Sequence, residues 1–279
     1  MKRVVCMEDL AGLGHSSLMA AIPVLSVMGM QCCPVPTAVL SSQTDGYEGY
    51  SFLDMTPHLP DYLGHWISLG ERFDAVLTGF LGSVEQLGIV EDFIQTVKAQ
   101  GTRVIVDPVM GDNGVIYDTY TPQLCQGMCR LALSADVITP NPTEAACLLG
   151  ESYDNLPTTL DGFCAWARRL QAMGPSQVVI TGVPMDGQLW VILAGNGGTD
   201  CFSHPLLGQD SPARGSYPGT GDVFTAVLTG SLLQGRSLRD AAERAADFVG
   251  LCITRTDELG LDRREGLALE TCLGALAQQ

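Results

Sequence analysis

Short β-branched apolar runs alternate with longer stretches of helical periodicity along the chain, and this alternation restricts the fold more than any other feature. The runs fall at 3–7, 31–39, 75–78, 103–106, 136–139, 177–181 and 188–193. Several are apolar without interruption, as strands covered on both faces require. Helical patterns lie at 17–30, 84–100, 163–173, 224–234, 238–254 and 265–277. Gly101 and Gly174 follow two of these as C-caps, and Gly235 follows a third. Strand–helix alternation of this kind predicts βαβ units: an α/β fold whose mostly parallel central sheet carries helices on both faces. At 279 residues the chain reads as a single domain over 1–279, since α/β domains often reach about 250 residues. The Pro/Gly/Ser-rich stretch 208–221 is the one long loop, a length that is often functional.

In open α/β sheets, ligands bind beyond the carboxyl ends of the strands. Here those ends carry Glu8-Asp9 (read as a turn), 79–82, Asp107-Pro108, Asn141-Pro142-Thr143-Glu144 and Thr181-Gly182. Three of the five are acidic. Packing does not explain an acidic sheet edge, whereas a metal–nucleotide site does.

Charge narrows the partners. Only 16% of residues are charged and the net charge is −16, which argues against nucleic acid and anionic membranes, both of which demand clustered Lys and Arg. A nucleotide is still compatible, because backbone N–H groups and a metal handle its phosphates locally. The ten cysteines are scattered, several within apolar runs and none in a CxxC pair. They read as reduced thiols acting as small hydrophobes, with vicinal Cys32 and Cys33 placed in the core. The start of the chain has no signal-peptide pattern and no window approaches a membrane span, so a cytoplasmic protein is expected.

Three motifs carry the chemistry. Gly219-Thr220-Gly221-Asp222 opens a helix. Its glycines let the backbone approach an anion, and the helix start supplies free N–H groups and partial positive charge. Asp222 would repel a bound phosphate there. The acid makes sense as the acceptor of a proton from a hydroxyl attacking the phosphoryl group; the alternative is an ordinary acidic helix start. Next, the run 104–112 delivers Asp107 at a strand tip before Pro108, with Asp112 five residues on. Hard oxygen ligands there suit Mg²⁺, which takes one or two carboxylates with waters and phosphates; turn chemistry is the alternative for Asp112. Finally, Asn141, Pro142 and Glu144 fit a capping box, and Glu144 is also a candidate water-linked metal residue.

One look-alike fails. Gly12-Leu13-Gly14 after the first strand lacks the third glycine and the later acid of a dinucleotide fingerprint, and no Walker A sequence occurs. His15, His58, His65 and His204 show no metal-ligand spacing and read as structural.

Taken together, these motifs resemble the pyridoxal kinase branch of the ribokinase-like superfamily over nearly the whole chain. The segments carrying the likeness are 74–83, Asp107 to Asp112, Thr139 to Glu144 and Gly219 to Asp222. The resemblance implies phosphorylation of the 5′-hydroxymethyl group of a B6 vitamer (pyridoxal, pyridoxamine or pyridoxine) by ATP with Mg²⁺. Asp222 would be the base, and Gly219, Thr220 and Gly221 the anion hole. Asp107, Asn141 and Glu144 would organise the metal and nucleotide, with Thr181 and Gly182 on the ATP side. Asp9, Thr44 and Phe80 would face the vitamer. A homodimer, a flap over 208–217 and a monovalent cation such as K⁺ are further implications. Two positions depart from the branch: Glu8-Asp9 stands where many members carry Ser, and Phe80 where many carry Tyr. An early Asp is similar instead to hydroxymethylpyrimidine (phosphate) kinases of the same fold, the nearest rival. A catalytically inactive vitamer-binding protein is the rival from another class.

Overall fold

The computed structural model describes residues 1–207 and 217–277. In chain order its first elements are β1 (Arg3–Ala11), α1 (Leu18–Val27), β2 (Gln31–Leu40), β3 (Phe52–Asp54), α2 (Leu59–Ser68) and β4 (Ala75–Thr78). Then come α3 (Val84–Lys98), β5 (Arg103–Val106), β6 (Gly111–Asp112), β7 (Val115–Ile116), α4 (Pro122–Leu133), β8 (Val137–Ile138), α5 (Pro142–Leu149) and α6 (Leu160–Ala172). Strands β9 (Gln177–Met185), β10 (Gln188–Gly195) and β11 (Gly198–Pro205) follow, and α7 (Thr220–Leu233), α8 (Leu238–Leu259) and the short α9 (Leu269–Cys272) end the chain. Two compact units result, Met1–Leu77 with Leu206–Gln279, and Thr78–Pro205.

In the first unit the strand order is β4-β1-β2-β3. Strands β1 and β2 run parallel, and β3 closes the edge antiparallel to β2. Val4, Val5, Cys6 and Met7 are wholly buried, which is why this run has no polar face. Helix α7 is apolar almost all round, burying ten consecutive residues from Val223 to Leu232, as expected of a helix enclosed by neighbours. The charged face of α8 points outward while Ala241, Ala245, Phe248 and Cys252 pack inward.

In the second unit β5, β8 and β9 are parallel, and β10 and β11 extend β9 as an antiparallel meander. Its helices start where the sequence supplies caps: Ser83 accepts from Gln86 N–H, Thr159 from Gly162 N–H, and Asn141 with Glu144 forms the full capping box.

Several expectations need correction. Glu8-Asp9 is no turn, because β1 continues to Ala11, with a register slip between Glu8 and Leu10. The extra residue lies on β2, where Thr37 and Ala38 together stand opposite Asp9, so the bulge belongs to the partner strand. Thr181-Gly182 likewise lies within β9, at the register slip opposite Val191, with Gly182 at φ +65°. The helix expected over 265–277 is broken into two 3₁₀ turns and α9, because Gly266 adopts φ +76°. Cys32 and Cys33 are half-buried rather than core. They line a shallow cavity of about 320 Å³ with Arg3, Trp66 and Glu71. The flap segment lies outside the described residues except for Tyr217.

Candidate active site

In the first unit, Asp222 is the third residue of α7. The N-cap is Gly219 at φ 84°, which offers no side chain to the helix's first amides. Those N–H groups have no intrahelical partner either, so they remain available to an anion. A Cβ on Gly219 would lie 1.9 Å from the His15 carbonyl oxygen, so only glycine fits. His15 is held in turn: its N–H donates to the Glu265 carbonyl at 3.1 Å, and its ring pairs with Glu270 at 2.7 Å. That is a structural task, as expected.

Asp222 does not stand alone. The Ser17 N–H donates to its Oδ2 at 2.8 Å, and the Ser17 hydroxyl donates to Asp9 Oδ1 at 2.7 Å. The sequence pattern singled out Asp9 and Asp222 but missed Ser17, the residue that joins them. Desolvation pushes the Asp222 carboxyl up to about 6, the Ser17 N–H pulls it back and the Asp9 charge adds to the rise. Burial likewise raises Asp9, against the Ser17 hydrogen bond. A carboxylate titrating near neutrality is suited to accepting a proton.

In the second unit, Asp107 follows β5 and is buried, with its N–H on the Thr78 carbonyl at 2.9 Å. Glu144 is buried too, and both its oxygens are engaged: Oε1 accepts from Met110 N–H at 3.1 Å and Oε2 from Asn141 N–H at 2.9 Å. The Asn141 side chain caps α5 and donates to the Gly111 carbonyl at 2.8 Å. Burial first, then the Asp107 charge, holds the Glu144 carboxyl well above the usual range. Two buried carboxylates, the charge of Asp107 raising Glu144, are a natural seat for a cation. Among the described residues no group of three or more His, Cys, Asp or Glu is placed to hold a metal. Asp107 and Glu144 are hard oxygen donors of the kind Mg²⁺ takes, with waters and phosphates as its other ligands. Asp112 serves the β6–β7 turn, accepting from Asn113 N–H at 2.8 Å.

Of the remaining candidates, Thr44 is exposed on a bend and Thr181 is half-buried, its N–H on the Pro140 carbonyl at 3.0 Å. Phe80 follows β4, its ring 6.0 Å from that of Tyr120 in a T-shaped pair. The cavity at Arg3, Cys32 and Cys33 opens at the amino ends of β1 and β2, away from Asp9, and takes no part in this chemistry.

Comparison with known proteins adds an independent observation. Residues 14–266 match the profile of the phosphomethylpyrimidine kinase family. Pyridoxal kinase PdxY of Vibrio campbellii is 30% identical, over 88% of this chain and 85% of its own. Among solved structures, a Bacteroides thetaiotaomicron protein bearing the name phosphomethylpyrimidine kinase, crystallised with pyridoxal, superposes with a TM-score of 0.91 at 42% identity. That match covers 99% of this chain and 95% of the other. The pyridoxal kinase of Lactobacillus plantarum superposes with a TM-score of 0.89 at 31% identity, over 99% and 96% of the two chains.

Proposed function

Since the chain belongs to the phosphomethylpyrimidine kinase family, among relatives that are pyridoxal kinases, we propose that it phosphorylates the 5′-hydroxymethyl group of a B6 vitamer. ATP is the phosphoryl donor. The observation that carries this reading is Asp222: a carboxylate raised to about 6 at the start of a helix whose N-cap is a glycine. A protein that only bound its ligand would gain nothing from an acid beside a phosphate-binding turn. An ATP-consumption assay with the three vitamers tests the assignment.

The family resemblance and the local geometry at Asp222 and Glu144 support the following roles. Asp222 accepts the proton of the attacking hydroxyl, and the free amides at Thr220 and Gly221 stabilise charge on the transferred phosphoryl group. Asp9, Thr44 and Phe80 face the vitamer. Asn141, Thr181 and Gly182 serve the nucleotide side, and Asp107 with Glu144 would hold Mg²⁺, which supplies charge neutralisation of the phosphates. The absence of disulfides among the ten cysteines supports a reducing, cytoplasmic setting; among the described residues no helix is long and apolar enough to cross a membrane. Phe52 and Leu53, more than half exposed on the edge strand β3, support a homodimer, which light scattering would detect.

Glu144→Gln gives a test of the metal role. Gln serves a capping box as Glu does, but the two backbone donors on Glu144 leave one of them facing an amide NH₂. The variant is expected to lose about 1–2 kcal/mol of that hydrogen bonding, partly offset by relief of repulsion with Asp107. Its half-saturating Mg²⁺ concentration should rise several-fold. An unchanged Mg²⁺ titration would leave Glu144 as a cap alone.

A second reading, hydroxymethylpyrimidine kinase, is favoured by the family's own description and by the acid at position 9. Turnover of hydroxymethylpyrimidine in preference to every vitamer would establish it.

A further inference from the structure

Ser17 has backbone angles that a serine avoids. At φ 48°, ψ −126° it lies outside the regions open to L-residues. The other described non-glycine residues with positive φ are Asn113 and Asp186, both in hairpin turns and both types that tolerate the left-handed region. Ser17 is buried and precedes a helix, where glycine would sit without strain. Such strain persists only where the surroundings impose it, and it gathers at functional sites.

The hydroxyl explains why serine rather than glycine suits this position. A serine at a helix N-cap ordinarily accepts a hydrogen bond from the first-turn amides. Here there is no such bond; the hydroxyl is turned away to Asp9 at 2.7 Å, while the N–H of the same residue holds Asp222 at 2.8 Å. One strained residue therefore clamps two carboxylates by different atoms, giving up its capping bond to do so.

We propose that Ser17 is a positioning residue that fixes the Asp9 carboxylate relative to Asp222, so that a vitamer bound by Asp9 presents its hydroxyl to the base. This rests on the reading of Asp222 as base and Asp9 as substrate contact. Loss of the clamp would leave Asp9 free to rotate, and misplacement of a substrate contact is felt in kcat/KM.

Ser17→Gly separates this role from a structural one, since it relieves the strain, keeps the N–H on Asp222 and removes only the hydroxyl. Its Tm is expected to equal or exceed that of the wild type. Its kcat/KM for the vitamer should fall about 10-fold, with KM for ATP within about twofold. Ser17→Ala, which keeps the strain, should show the same kinetic loss. Asp9→Ala alone should lose about 10- to 150-fold, and adding Ser17→Gly to it should change nothing further. Wild-type kcat/KM in Ser17→Gly, or a loss that adds fully to that of Asp9→Ala, would overturn the proposal. Carbon-13 titration of the Asp9 carboxyl gives a readout that needs no substrate. Its midpoint should rise in Ser17→Gly, because the hydroxyl that lowers it is gone, and an unmoved midpoint contradicts the clamp even if the kinase reading itself fails. Absence of turnover by the wild type with every vitamer would instead reject the functional reading and leave the titration to decide the clamp.

Discussion

Asp222→Asn is expected to lower kcat by about 10²- to 10⁴-fold while leaving the protein folded. Asparagine matches aspartate in size, and its carbonyl oxygen still accepts the Ser17 N–H that now lies 2.8 Å from Oδ2. It cannot take the substrate proton. The low end of the range applies if the transition state is loose, since such a state asks little of the base early on. The pH dependence carries a second signature. With the carboxyl of the free protein raised to about 6, wild-type kcat/KM should fall below about pH 6, and this limb should be absent from the variant. Stability should move in the opposite sense. The folded-state value lies above that of the unfolded chain, so the native state holds this proton more tightly. Its favourable contribution is complete below about pH 4 and lost as pH rises through about 6. At pH 7.5 the variant should therefore melt higher than the wild type, by at most about 3 kcal/mol for a shift of about two units and less at a half-buried group. The gap should close towards pH 4. A variant with near-wild-type kcat and a normal melting curve would remove Asp222 from the mechanism.

Gly219→Ala is expected to be comparably damaging for a different reason. The position needs φ 84°, which costs an alanine about 1–2 kcal/mol. The added methyl would also lie 1.9 Å from the His15 carbonyl oxygen and 3.0 Å from its carbon. Both atoms are backbone, anchored through His15 to Glu265 and Glu270, so no rotamer change relieves the clash. The start of α7 must shift, taking its free amides with it. Loss of an aligned donor of this kind is worth about 10²- to 10³-fold in kcat, and a fall in Tm of several degrees should accompany it. Gly235→Ala is the control. Its φ is 88°, yet nothing lies within 4 Å of the added Cβ, so it should lose stability alone. Equal kinetic losses in the two variants would show that strain, and not the anion-binding turn, is responsible.

The parts legible in the sequence were those fixed by local chemistry. Strands at Ala75–Thr78 and Arg103–Val106 showed because buried parallel strands are short continuous apolar runs. The turn at Gly219 and the acid after it showed because few residues other than glycine permit such a helix start. Helix α2 did not show, since Pro60 and Gly64 interrupt its pattern. It forms because Pro60 sits in the first turn, where proline is tolerated, and because Trp66 packs its ring against Tyr62 and Phe73. Strand β11 alternates polar and apolar residues weakly and is defined by its hairpin with β10. The capping box at Asn141 was legible, whereas the Met110 N–H on Glu144 was not, because it comes from 34 residues away. Ser17 was hidden most completely. Its role depends on a backbone angle and on a carboxylate 205 residues distant, neither of which leaves a trace in local pattern.

The most direct test of the account is a single side-by-side measurement of kcat/KM with Mg²⁺ and ATP for pyridoxal, pyridoxamine, pyridoxine and hydroxymethylpyrimidine, with each product identified by phosphorus NMR. At least one vitamer should be converted to its 5′-phosphate with a kcat/KM above that for hydroxymethylpyrimidine. Three inert vitamers beside a phosphorylated hydroxymethylpyrimidine would contradict the account.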